Sequence, residues 1–245
     1  MVKNIFKGIK AYASALGLIG NLGLWKYFAV PVLISLFTAI LIGLSAWGWS
    51  DDIANAIDLL WVWEWGASWF HSFAELLGGV LIIALGFIVY KHIVMALSAP
   101  FMSPVSAAIE HHFLGTLHSH RDTSNTTQLW RGIRVNVRNL ILEVCITIPL
   151  LVLSLVPVLN FITAILLLLV QAYFAGFGNM DYTLERHYGY KESVQFVKEH
   201  KGVAIGNGII FTLMLFIPFI GILVVLPLSV TAATSQTIRF IENKK

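Results

Sequence analysis

Charge is scarce in this chain, and the scarcity decides its class. Only 12% of the 245 residues are charged, while 58% are apolar. A water-soluble domain carries about a quarter charged residues, so a soluble globular protein is excluded and an integral membrane protein is indicated. Cysteine is nearly missing as well. The single one, Cys145, excludes an internal disulfide, and its apolar surroundings make it read as a small buried hydrophobe. There is no P-loop, no Gly-rich dinucleotide turn, no nucleophile elbow and no zinc ribbon. No acid, base and nucleophile converge, so an enzyme is not indicated and no cofactor is implied. No Pro/Ser/Gly-rich linker divides the chain, which reads as one membrane domain over 1–245. The net charge of +3 follows from topology and gives no case for nucleic acid.

Lys and Arg are absent from Tyr27 to Tyr90. Within that stretch, Tyr27–Trp49 is 23 residues without a charge, about 34 Å as helix, which predicts a first transmembrane helix over 27–49. A second is predicted over 65–99, greasiest from Leu76 to Tyr90 and ended by Pro100 and Pro104. Trp47, Trp49, Trp61, Trp63, Trp65 and Trp69 suit an aromatic belt at the far interface. Upstream, Ile5, Phe6, Ile9, Tyr12, Leu16 and Ile19 recur at helical spacing, with Lys3, Lys7 and Lys10 spread among them. Residues 3–19 therefore read as an amphipathic helix at the cytoplasmic interface rather than as a signal peptide. The connection between the two spans carries Asp51, Asp52, Asp58, Glu64 and Glu75, and all 16 basic residues lie outside 27–90. The positive-inside rule then places both termini and the later loops in the cytoplasm.

Two longer runs follow. Val144–Met180 is 37 residues without a charge and Val203–Ile238 is 36. A single helix of that length would reach about 55 Å against a hydrocarbon core of about 30 Å. Pro157 and Pro218 divide the runs, and basic residues flank both ends of each. The pattern predicts two helical hairpins, over 140–180 and 203–238, with the prolines at their tips. Their first legs, about 20–23 Å long, would dip into the bilayer; two ordinary helix pairs with short first legs are the alternative. "VPVLN" and "IPFIG" form a weak internal repeat, as broken segments flanking a transport path do.

Four stretches carry a resemblance: "GLWKYFAVP" from Gly23, "SAPFMSPVSAAIEHHFLG" from Ser98, "GNMDYTLERHYGYKE" from Gly178 and "IPFIGILVVLPLSVTAAT" from Ile217. In order and spacing the chain resembles the bacterial CysZ-type sulfate permease family, whose superfamily includes the eukaryotic etoposide-induced membrane proteins. The resemblance runs over roughly residues 10–240. It implies an all-α membrane fold with two long transmembrane helices and two pairs of membrane-dipping helices, homo-oligomers in the bacterial inner membrane, and sulfate uptake without ATP hydrolysis. It also implies a sulfate site at a Gly-Leu-Arg-Arg-like motif. Gly23, Leu24, Trp25 and Lys26 stand there in this sequence, so the paired hydrogen bonds of two arginines are replaced by one lysine point charge. Lys26 reads equally as an interfacial anchor.

Other candidates come from spacing. Arg131, Arg134 and Arg138 share one helix face and suit either an anion-collecting vestibule or anchorage to lipid phosphate. Glu110 is expected to pair with a basic residue such as Arg134, and Glu143 with Arg138 or Lys201, or else to lie at the interface. Asp181 and His187 are placed in a cytoplasmic loop after the first hairpin, in a structural or gating role. His111, His112, His118 and His120 fall within ten residues, but lack the spacing of a metalloprotease helix, and no physiological metal is assigned. Two functions follow: a permease for a sulfate-like inorganic anion, or a membrane-organising scaffold whose hairpins wedge one leaflet of the bilayer. The altered Gly23–Lys26 stretch and the lack of a visible row of buried charges tilt toward the scaffold.

Overall fold

The computed structural model of the chain describes residues 1–58, 85–115, 124–217 and 220–242. Helix α1 spans Val2–Asn21, and a 3-10 turn, Leu24–Tyr27, leads into α2, Ala29–Asp58. Helix α3, Leu85–Leu97, is followed by α4, Ala99–Leu114, α5, Asn125–Ser154, and α6, Pro157–His187. The chain then forms α7, Tyr190–Glu199, α8, Lys201–Leu215, and α9, Ile220–Glu242. Among the described residues there is no strand. The fold is an all-α membrane fold; among the described residues four helices are long and apolar enough to cross a bilayer, and the bent pair α3–α4 makes a fifth if it is one span.

The helices are amphipathic in the inverted sense. On α2 the exposed residues are Leu33, Leu36, Phe37, Ile40 and Leu44, while Ser35 and Thr38 are buried. On α5 the exposed face carries Val137, Ile141, Ile146, Ile148 and Val152, and the buried stripe is Gly132, Asn136, Asn139, Glu143 and Thr147. Lipid is as apolar as a protein core, so large aliphatic side chains gain nothing by turning inward, whereas polar groups find partners only inside. Cys145 follows this logic. It is exposed on α5, two positions from Glu143, and the expectation of a buried thiol is corrected.

Small residues set the helix spacing. Helix α8 lies between α1 and α6. A Cβ on Gly206 would stand 2.1 Å from the Ile5 carbonyl oxygen, and one on Gly208 would stand 1.8 Å from that of Ala172. From α6, a Cβ on Gly176 would stand 1.8 Å from the Ala204 oxygen. Two small-xxx-small rows, Gly202/Gly206 and Ala204/Gly208, thus let α8 touch backbone on both sides. Gly208→Ala is expected to force α6 and α8 apart and to lower the thermal midpoint in detergent by the equivalent of about 1–3 kcal/mol. Gly17 has open space around it, so Gly17→Ala leaves the midpoint unchanged or raises it.

The amphipathic segment 3–19 is helical, as expected; its inner face docks on α8 and α9 through Gly8, Ala11, Ala15 and Ile19, and Phe6 and Leu16 are exposed. The predicted helix over 65–99 ends at Leu97, and the chain bends by 68° into α4. Pro100 and Pro104 lie inside α4 rather than stopping a helix: Pro100 sits in the first turn, where it has no intrahelical donor to lose, and Pro104 sits in the helix interior. Residues 65–84 and Pro218 lie outside the described residues. Asp181 and His187 sit in the last turns of α6 rather than in a loop.

Pro157 does mark a tip. It is the first residue of α6, directly after the turn at Leu155 and Val156. The Ser154 hydroxyl donates to the Leu151 carbonyl at 2.6 Å, and Thr163 donates to those of Leu159 and Asn160 at 3.1 and 2.9 Å, so hydroxyls bond carbonyls on both sides of the turn. The outward apolar residues of α5, however, run from Val137 to Leu153, about 25 Å of helix. Glu143 turns inward and so does not shorten that leg.

Candidate functional site

The buried stripe of α5 meets α3 at a three-membered charge cluster. Lys91 and His92 each keep 2% of their surface exposed, and Glu143 keeps none. Lys91 Nζ donates to Glu143 Oε1 at 2.5 Å and to the Gln171 carbonyl of α6 at 3.2 Å. His92 Nε2 lies 3.0 Å from Glu143 Oε2, and His92 Nδ1 lies 3.1 Å from Asn136 Oδ1. Asn136 Nδ2 donates to the Gly132 carbonyl at 2.9 Å, which leaves its oxygen facing the imidazole. Glu143 is thus shared between Lys91 and His92, and the imidazole bridges Glu143 and Asn136. Along the same α5 stripe, Asn139 Nδ2 and the Thr147 hydroxyl are buried four residues to either side of Glu143 and have no hydrogen-bond partner among the described residues. Such donors call for water or an ion.

Two further clusters lie where α4, α5, α6 and α7 meet. Arg131 Nε and Nη2 donate to the Asp181 oxygens at 3.0 and 2.8 Å. The same guanidinium donates to Ser193 Oγ at 2.7 Å and to the Tyr188 carbonyl at 2.8 Å, tying α7 to α5. Arg186 Nε and Nη2 donate to Glu110 Oε2 at 3.0 and 2.8 Å, and Nη2 donates to Ser106 Oγ at 2.8 Å. His187 Nε2 stands 2.7 Å from Glu110 Oε1. Beside this pair, Ser103 donates to Glu185, and Ser106, Thr183 and Thr234 link hydroxyl to hydroxyl across α4, α6 and α9.

The residues singled out in the sequence are placed as follows. Glu110 pairs with Arg186 and His187 rather than with Arg134, whose guanidinium lies 4.2 Å over the Tyr190 ring. Glu143 pairs with Lys91 and His92 rather than with Arg138 or Lys201, and it is buried rather than interfacial. Arg138 donates to Asn139 Oδ1 at 2.9 Å and faces the Phe177 ring at 5.5 Å. The three arginines of α5 therefore differ: Arg131 is committed to Asp181, while among the described residues Arg134 and Arg138 pair with no carboxylate. Gly23 adopts a left-handed conformation, φ 61°, which glycine tolerates best. Leu24 is buried, and Trp25 and Lys26 are exposed, with Lys26 Nζ 5.2 Å from the Tyr27 ring centre. A row of buried charges, missing from a linear reading, is present. Sequence reasoning overlooked Lys91 and His92, which sit next to the greasiest part of the second apolar run, and the Asn136–Asn139–Glu143–Thr147 spacing that announces an inward polar stripe.

Among protein families, the one described as sulfate transporter CysZ/etoposide-induced protein 2.4 matches residues 11–225. No curated protein matches the chain.

Proposed function

The chain belongs to the sulfate transporter CysZ/etoposide-induced protein 2.4 family, and from that premise we propose that it is a permease for sulfate or a related oxyanion that works without ATP hydrolysis. One observation carries the reading: a buried Lys91–His92–Glu143 cluster, with two basic side chains on one carboxylate, flanked by donors of Asn139 and Thr147 that have no partner among the described residues. An anion inside a membrane protein needs a compensating charge and donors that replace its water. A scaffold has no use for such groups, and burying them is costly. In this reading Gly23 and Lys26 mark an entry site beside the first span. Arg134 and Arg138 collect or release the ion, and Arg131, paired with Asp181, holds α5 and α6 in register. The protein acts as a homo-oligomer of the bacterial inner membrane with cytoplasmic termini, and the hairpin tip at Pro157 stays within the bilayer and shapes the path.

Flux into liposomes tests this. Purified protein is expected to pass radiolabelled sulfate with saturable kinetics, to be inhibited by sulfite, and to lose apparent affinity about threefold to tenfold in Lys26→Ala, the loss of one charge-assisted contact. If no oxyanion passes while the protein remains folded in the liposomes, the scaffold reading replaces this one.

A further inference from the structure

We propose that the cleft between α1 and the last turns of α9 is a binding site for one phosphate-type oxyanion group. The cleft, about 320 Å³, is lined by Lys7, Lys10 and Ser14 of α1 and by Gln236, Arg239 and Phe240 of α9. The two sets fall at helical spacing, so each helix offers one face to the opening. No carboxylate lines it, and among the described residues none of the three cations makes an ion pair; Lys7 lies 5.4 Å over the Phe240 ring and Arg239 5.9 Å over that of Phe113. Three like charges converging without a counter-ion repel one another unless an anion sits among them.

Gln236 adds a neutral donor: its side chain lines the cleft, and only 8% of the residue is exposed. An oxyanion among the three cations would accept from its NH2 group. The ligand chemistry is therefore a tetrahedral dianion or phosphodiester, held by charge from Lys7, Lys10 and Arg239 and oriented by Gln236 and the Ser14 hydroxyl. The neighbouring outward residues Val2, Phe6 and Leu16 are large, apolar and exposed, which suits a helix lying against lipid headgroups. The phosphate of an anionic lipid and a free inorganic ion share this chemistry. The proposal does not depend on transport.

The test uses the full-length protein in a neutral detergent. Binding of short-chain phosphatidylglycerol, short-chain phosphatidylcholine, inorganic phosphate and sulfate is measured by calorimetry and native mass spectrometry, with the wild type and the variant Lys7→Gln/Lys10→Gln/Arg239→Gln. One saturable equivalent of phosphatidylglycerol or of a free oxyanion is expected. Each cation removed should weaken it about fivefold, and the triple variant roughly a hundredfold. Gln236→Met should weaken binding with the lysines intact. Preference for phosphatidylglycerol over inorganic phosphate identifies a lipid headgroup, and the reverse identifies a soluble ion. The proposal is overturned if neither binds saturably, if phosphatidylcholine binds as well as phosphatidylglycerol, or if the triple variant, folded by its unchanged thermal midpoint, binds as tightly as the wild type.

Discussion

Glu143→Ala is expected to destabilise the protein by about 3–5 kcal/mol, because it leaves Lys91 and His92 buried without their carboxylate. Lys91 keeps only the Gln171 carbonyl, and an unpaired lysine at bilayer depth costs about 2.5–3.5 kcal/mol on insertion scales. Lys91→Met alone does less harm, since His92 still bonds Glu143. The informative variant is Lys91→Met/Glu143→Met. It removes both charges and fills the space, so it should be more stable than Glu143→Ala and close to the wild type. Unfolding in a graded mixture of mild and denaturing detergent gives the ranking. Transport should follow a different order: all three variants lose sulfate uptake, because a basic side chain of the cluster is lost or no longer held in place by Glu143. Restored stability without restored flux would separate the cluster's structural part from its functional part. A double variant that transports normally would remove the cluster from the path.

Arg186→Met is expected to be the other severe change. It strips Glu110, which is fully buried, of two hydrogen bonds and leaves it with His187 alone. It also removes the donors that Arg186 gives to Ser106 Oγ and the Tyr182 carbonyl. A loss of about 3–5 kcal/mol follows from the uncompensated charge, and it should show as loss of monodisperse protein after detergent extraction. Arg186→Lys keeps the charge but not the planar fork, so it should recover part of the stability. Glu110→Gln/Arg186→Met should be milder than Arg186→Met, because no buried charge is left over. If Arg186→Met and the double variant are equally unstable, packing rather than charge accounts for the cost.

Much of this architecture can be read from the chain because lipid imposes simple rules. Length and charge mark the apolar runs, and Pro157 marks the turn between α5 and α6, since a proline can begin a helix more easily than continue one. The same proline logic fails at Pro100 and Pro104. There the break comes at Ser98; Pro100 falls in the tolerated first turn of α4, and Pro104 lies in its interior. The α8 contacts depend on which glycines face which neighbour, and "GVAIGNG" is compatible with several facings until α1 and α6 are in place. The partners of Glu110 and Glu143 are 76 and 52 residues away in sequence, so local spacing could not choose them. What local spacing does hold is the inward stripe itself. Asn136, Asn139, Glu143 and Thr147 lie on one side of a helix whose other side is aliphatic, and in a membrane chain that pattern points to a polar interior.

The central claim is that the Lys91–His92–Glu143 cluster lies at bilayer depth inside a helix whose outer face meets lipid. Cys145, the chain's one cysteine, reports on this without any substitution, since it is exposed on α5 two positions beyond Glu143. A charged, membrane-impermeant methanethiosulfonate added to either side of intact vesicles should leave Cys145 unmodified, while the same thiol reacts once the membrane is dissolved in SDS. Rapid modification of Cys145 from either aqueous side of intact vesicles would place this part of α5 in water and contradict the account.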